Sequence, residues 1–191
     1  MPEAGSPPPG FAVARYGHAE TPEALAWQIL TASRIIFEEF FARIRSWEEL
    51  GTYGRDTEHL LLLDGPFLAA HLALVRAGGH WEGGRAEILG VAGVFSLPQY
   101  RRRGLVRHLF GLVERDLEAG REDFGLLFCD PALCRFYAGL GWRPFPGVVT
   151  YGDARAPARL DPRIDRARWR PGAAARRPKR GQQVFLGPNT W

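Results

Sequence analysis

The chain has 191 residues, 46% of them hydrophobic, which is the size and apolar content of one folded domain and excludes a disordered or fibrous protein. Its formal charge of +4 is unevenly spread: residues 1–152 carry 15 Lys/Arg against 18 Asp/Glu, and residues 153–191 carry 10 against 3. The domain itself is therefore mildly acidic, and a polyanion is not the default partner despite a sequence pI near 9.5.

The first ten residues, MPEAGSPPPG, are too rich in Pro and Gly to bury surface and read as a disordered leader. They lack the basic and apolar regions of a signal peptide, and nowhere does the chain hold the roughly 18 apolar residues of a membrane helix, so the reading is cytoplasmic. A short strand begins at Phe11. Thr21-Pro22-Glu23 then reads as an N-cap, a first-turn proline and an acidic first turn, opening a long helix with Leu25, Ile29, Ile36, Phe40 and Ile44 on one face. HLLLLDG and PFLAAHLALVRAGG read as two strands turned at Asp64-Gly65-Pro66, and HWEGGR as the hairpin before a third, AEILGVAGVFSL. An amphipathic helix follows, with Val106, Leu109, Phe110, Val113 and Leu117 on its apolar face and Gly120 at its end. FGLLFCD is a short buried strand, Pro131 opens a short helix, and RPFPGVVTYGD carries another strand. Residues 153–180, with Pro, Gly and Arg but no periodicity, read as a long basic loop, and residues 181–191 as a last strand and the C-terminus of the domain that begins at residue 11. Cys129 and Cys134, five apart with no nearby histidine pair, make no disulfide framework and match no metal pattern. The order of elements is that of an α/β or α+β fold with a parallel pair at strand-helix-strand.

Chemistry concentrates at LPQYRRRGLVRHLF. A strand, a glycine-containing turn and a helix N-terminus make an anion site, because unpaired amides converge there and the helix dipole adds positive charge. Gly104 lets backbone approach oxygen atoms without a Cβ in the way. Neither a P-loop nor a Rossmann fingerprint is present.

Arg101-Arg102-Arg103-Gly104-Leu105-Val106 resembles the acetyl-CoA-binding motif of the GNAT N-acetyltransferases, Q/R-x-x-G-x-G/A, and CRFYAGLGWRP is similar to their second landmark, a helix with a Phe-Tyr pair ending at glycine and an aromatic. The pattern from Ala70 to Val106 looks most like the aminoglycoside 2'-N-acetyltransferase branch. Val106 stands where the general motif has Gly or Ala, and Ala92 where that branch commonly has glutamate. The resemblance implies a mixed, mostly antiparallel sheet with a splayed parallel strand pair, flanked by about four helices. It implies acetyl-CoA as cosubstrate, no metal, and direct transfer to a primary amine of a small molecule. The backbone of Val94, Phe95, Ser96 and Leu97 would hold pantetheine and the thioester oxygen. The turn around Arg101, with the amides of Arg102, Arg103, Gly104, Leu105 and Val106, would hold the pyrophosphate, and Tyr137 would protonate the departing thiolate.

The base that frees the amine is left among Glu82, Glu87, His71, His80 and Asp130. Acidic residues in and after the first helix, Glu38, Glu39, Glu48, Glu49, Asp56 and Glu58, suit a cationic acceptor. Other readings stay beside this one. The arginine triplet also reads as a solvated turn and Tyr137 as a core aromatic. Ala92 motivates a non-catalytic acyl-CoA-binding module or sensor. The basic 153–180 segment and the tryptophans Trp169 and Trp191 motivate a less favoured nucleic-acid-binding reading. The oligomeric state, a homodimer included, is open.

Overall fold

A computed structural model describes residues 6–38, 44–51, 57–81, 84–120, 122–161, 165–173 and 178–186. Two units are distinguished, Met1–Val75 with Ala92–Glu114, and Arg76–Val91 with Arg115–Trp191. The chain passes from one to the other within a strand at 75/76, within a strand at 91/92 and within a helix at 114/115.

In the first unit, β1 (Ala12–Gly17) pairs antiparallel with β2 (Thr57–Asp64), from Ala12↔Leu63 to Gly17↔Glu58. β2 pairs antiparallel with β3 (Phe67–Trp81) across the turn expected at Asp64-Gly65-Pro66, where Gly65 adopts φ +56°. That angle is readily reached only without a Cβ. Leu60, Leu61 and Leu62 are all buried, as a strand covered on both faces requires. The helix α1 spans Glu23–Ile36 and sets Leu25, Ile29 and Ala32 against Leu61, Leu68 and Phe95. Each leucine so buried contributes roughly 2 kcal/mol of transfer free energy.

The start of α1 departs from expectation. The N-cap position belongs to Pro22, whose carbonyl accepts from the amides of Leu25 and Ala26, both at 2.9 Å. Thr21 does not cap, because its hydroxyl donates back to the Gly17 carbonyl at 3.0 Å. The helix ends at Ile36, and the expected continuation to Phe40 lies outside the described residues; a separate short helix, α2, covers Trp47–Gly51.

In the second unit the strand order is β6-β9-β5-β4-β3-β10-β7-β8. Here β4 is Gly84–Ser96, β5 Phe124–Cys129, β6 Arg143–Pro144, β7 Val148–Tyr151, β8 Ala158–Arg159, β9 Arg166–Pro171 and β10 Gln183–Phe185. The pairs β4·β5 and β7·β10 are parallel, and β3·β10, β5·β9, β6·β9 and β7·β8 are antiparallel. The β4·β5 ladder is short, from Ile88↔Phe124 to Val91↔Leu127. Phe124, Ile88, Trp81, Trp169 and Val184 form the core. Gly125 follows Phe124 in tight space: a Cβ there would meet Leu117 Cδ1 and Trp142 Cη2, each at 2.9 Å. Gly125→Ala is expected to cost about 2 kcal/mol by overpacking, measured by urea unfolding at neutral pH.

The helix α3, Leu105–Ala119, and the short helix α4, Cys134–Ala138, bring the described helices to four, and the whole is the mixed, mostly antiparallel α/β architecture expected. In α3 the fully buried stripe is Leu105, Leu109, Phe110, Val113 and Leu117, while Val106 is half-buried. The apolar face is the one read in the sequence, except that Leu105 rather than Val106 begins it.

The basic stretch is not a loop throughout. It contains β8 and β9, and β9 runs antiparallel to the whole of β5, from Phe124↔Pro171 to Cys129↔Arg166. Trp169 is buried in the core, so its ring cannot stack on a nucleobase; Trp191 lies outside the described residues. Arg168 donates through Nε and Nη2 to the Trp142 carbonyl at 3.2 and 2.8 Å, and Arg170 through Nη1 to that of Leu140 at 2.7 Å. These carbonyls lie in the turn after α4. Two of the arginines that make this segment basic therefore serve backbone carbonyls after α4.

Candidate active site

In the first unit the end of β4 leads directly into the turn and α3. Leu97 N–H donates to the Ala69 carbonyl at 3.0 Å, anchoring the strand end to β3. A single 3-10 turn, Pro98–Tyr100, follows. Arg102 then adopts φ +63° and Gly104 φ +75°. Glycine reaches that region freely, but for arginine it carries a strain on the order of 1 kcal/mol. His108 N–H donates to the Gly104 carbonyl at 3.0 Å, so Gly104 caps α3 and the amides of the first helical turn have no i−4 carbonyl. A Cβ on Gly104 would have no heavy atom within 4 Å: the space beside it is open. Arg101, Arg102, Arg103 and Gly104 are all exposed.

Tyr100 holds this turn, a role that was not read in the sequence. Its hydroxyl donates to Asp64 Oδ2 at 3.0 Å, its ring meets Phe11 edge-on with centroids 5.8 Å apart, and the Arg103 guanidinium lies 5.7 Å from its centroid. The hydrogen bond to the Asp64 carboxylate raises the phenol above its ordinary pKa. Among Val94, Phe95, Ser96 and Leu97, only Phe95 is fully buried; its ring lies in the α1 cluster, and the others are half-buried.

Behind β4 lies a row of three imidazoles. His71 Nδ1 is 2.7 Å from the Gly93 carbonyl oxygen, His59 Nδ1 2.9 Å from His71 Nε2, and His18 Nδ1 3.0 Å from His59 Nε2. At the outer end His18 Nε2 is 2.9 Å from the Trp47 carbonyl, and Trp47 Nε1 donates back to the His18 carbonyl at 3.0 Å. His18 stacks on the Trp47 indole at 4.2 Å and 9°. His59 and His71 are each 2% exposed. Burial lowers His59 to about 2, reinforced by the neighbouring His71 and His18, and lowers His71 to about 4 against a raising contribution from the Gly93 carbonyl. Both are neutral at pH 7. The unfolded chain takes up protons on these rings below pH 6.5 and the folded one does not, so stability is present above pH 6.5 and lost as pH falls. Lowering pH from 7 to 6 is expected to reduce the unfolding free energy by about 1.4 kcal/mol from these two rings, measured by urea unfolding at both pH values.

Trp47 and Glu48 also line a cleft of about 310 Å³ with Glu23 and Trp27, in the same unit. Two indoles and two carboxylates are groups that attract an ammonium ion.

Tyr137 belongs to the second unit. It sits in α4 at 5% exposure, with the Phe136 ring edge-on at 5.1 Å, and its carbonyl accepts from Leu140 N and Trp142 N, both at 3.0 Å. Burial, and then Cys129 nearby, raise its phenol well above 10. The Cys129 thiol is itself pushed up to about 12 by burial and by Cys134, and donates to the Arg166 carbonyl at 3.6 Å. Neither thiol is disulfide-bonded.

The candidate bases are scattered. Glu87 accepts from Arg85 at 2.7 Å, and Asp130 Oδ1 accepts from Ala132 N at 2.6 Å, capping the 3-10 turn Pro131–Leu133. His80 is exposed at the end of β3, His71 belongs to the imidazole row, and Glu82 lies outside the described residues, as do Glu39 and Asp56 of the acidic set. No metal-ligating cluster occurs among the described residues. No helix among them is long and apolar enough to cross a membrane.

The family model described as an acetyltransferase (GNAT) domain matches residues 23–145. Among solved structures, the chain is similar to an acyl-CoA N-acyltransferase from Pseudomonas aeruginosa, at 18% identity and TM-score 0.60, with 84% of this chain and 99% of that one covered. It is similar to ElaA of Escherichia coli at 13% identity and TM-score 0.59, over 84% and 99%. An acetyltransferase from Streptococcus agalactiae shares 15% identity at TM-score 0.58, over 85% and 99%. At such identities the likeness is one of fold. No curated protein matches the chain.

Proposed function

The chain belongs to the GNAT acetyltransferase family, and from that membership we propose that it moves an acetyl group from acetyl-CoA to a primary amine of a small, cationic molecule, aminoglycosides being one class. The observation that carries the cofactor assignment is the turn at Arg101–Gly104. Two left-handed residues, Arg102 and Gly104, precede a 15-residue helix, with open space beside Gly104. Backbone of this kind turns successive N–H groups outward, and a helix start adds positive potential, which together suit a pyrophosphate. In this reading the amides of Arg102, Arg103, Gly104, Leu105 and Val106 hold the pyrophosphate and the Arg101 side chain adds charge. The backbone of Val94, Phe95, Ser96 and Leu97 holds pantetheine and the thioester oxygen.

Transfer is direct, in a ternary complex. The neutral amine nitrogen attacks the thioester carbonyl carbon, a C–N bond forms, the C–S bond breaks, and the thiolate takes a proton from Tyr137. The nitrogen gives up its proton to a base or to water. Glu23 and Glu48, with Trp27 and Trp47, support a cationic acceptor. The test is thiol release from acetyl-CoA with a panel of primary amines, aminoglycosides included, combined with the mass of the intact protein. Amine-dependent release with an unchanged protein mass is expected. Thermal stabilisation by coenzyme A without release by any amine would overturn transfer to this class and leave a binding module.

A further inference from the structure

The imidazole row is a chain whose protons can be counted. Its four contacts lie in series, from the Trp47 carbonyl through His18, His59 and His71 to the Gly93 carbonyl. Nitrogen separations of 2.9 and 3.0 Å are hydrogen-bond lengths and fall short of the roughly 3.3 Å that two Zn–N bonds of about 2.0 Å at a tetrahedral angle would set between the nitrogens. Each contact therefore either holds a proton or does not. Both ends are carbonyl oxygens, which only accept, so four contacts need four protons. Three neutral imidazoles bring three.

The gap falls where a missing proton is least unfavourable. At Gly93 the contact is the shortest of the four and His71 is fully enclosed, so two lone pairs would face each other with no water to turn to. His71 therefore carries its proton on Nδ1. The polarity then propagates outward: His71 Nε2 accepts from His59 Nδ1–H, and His59 Nε2 accepts from His18 Nδ1–H. The bare nitrogen is His18 Nε2, on a half-exposed ring beside Trp47. Burial holds His18 below its ordinary pKa, against raising contributions from the Trp47 carbonyl and from Glu48, the charge that acts on it from α2. His59 feels His18 and His71, and His71 feels the Gly93 carbonyl. The rings packed around them, Trp47 and Phe95, are uncharged.

Gly93 is the residue before Val94 and adopts φ +54° within β4; a Cβ there would come within 3.2 Å of His71 Cε1. We propose that the His18–His59–His71 chain positions the cofactor-binding segment of β4 by clamping the Gly93 carbonyl, and that it takes up its one missing proton at His18 Nε2. The purpose of the clamp rests on the acyl-CoA reading above; the polarity of the chain does not. His71 is on this account a positioning residue.

Long-range ¹H–¹⁵N spectra of the histidine-labelled wild-type protein test both parts. Expected are Nδ1–H tautomers at His59 and His71 at pH 7, with His18 the first of the three to titrate, at Nε2, as pH is lowered. An Nε2–H tautomer at His71, or titration of His59 or His71 before His18, overturns the chain. Adding acetyl-CoA is expected to move the His71 Nδ1–H resonance, and His71→Phe to weaken acetyl-CoA binding about tenfold with a smaller change in kcat. If His71→Phe does not fold, the wild-type resonance decides. Bound acetyl-CoA with an unmoved resonance overturns the clamp alone. No acetyl-CoA binding by the wild-type protein overturns the acyl-CoA reading and the clamp's purpose, while the tautomers still decide the chain.

Discussion

Gly104→Asp is expected to weaken acetyl-CoA binding by at least about 100-fold while the protein stays folded. The fold survives because a Cβ at Gly104 meets no heavy atom within 4 Å, and aspartate is among the residues that tolerate a left-handed φ of +75°. Binding does not, if the pyrophosphate sits on this turn. A carboxylate about 5 Å from one phosphate charge, at an effective dielectric constant near 20, is unfavourable by about 3 kcal/mol, and each factor of ten in affinity is about 1.4 kcal/mol. Calorimetric titration with acetyl-CoA, with circular dichroism as the control for folding, gives the answer. Unchanged affinity in a folded variant removes the pyrophosphate from Gly104.

Tyr137→Phe is expected to lower kcat about 100-fold and leave the acetyl-CoA dissociation constant within about twofold. The magnitude is that of losing a positioned general acid. Burial, and then Cys129, hold the phenol above its ordinary pKa, so it keeps its proton throughout the neutral and mildly alkaline range. A raised phenol also fixes the sign of the pH dependence. The proton is present below its pKa, so activity should not fall between pH 7 and 9 through loss of this group. Steady-state kinetics over that range, with wild type and variant, check both statements; equal kcat in the variant removes Tyr137 from proton transfer and leaves it as a core aromatic.

Much of the architecture was legible because it rests on local signals. The Asp64-Gly65-Pro66 turn, the β3 and β4 runs, and the amphipathic α3 all follow from periodicity and turn chemistry that act within a few residues. The turn at Arg101–Gly104 was legible too, as a glycine between a strand and a helix. Errors came where a local signal met a distant partner. Thr21 is the exception, a local competition in which its hydroxyl donates to the Gly17 carbonyl four residues back instead of capping α1. Residues 153–180 lack alternation because Arg168 is spent on a carbonyl and Trp169 on the core, and the register of β9 with β5 links positions some forty residues apart.

By itself, the sequence determined the order of the longer elements from β1 to β7, the two family landmarks and their spacing, and the acidic character of residues 1–152, since each depends on neighbours along the chain. The tertiary structure alone decided that Tyr100 braces the arginine turn through Asp64, and that three histidines separated by 41 and 12 positions meet in one row ending at Gly93. An isolated histidine is a solvated base near pH 6.5. Whether it becomes a buried neutral link depends on which strand pairing carries its ring beside another, and pairing is a property of the folded sheet rather than of any stretch of its sequence.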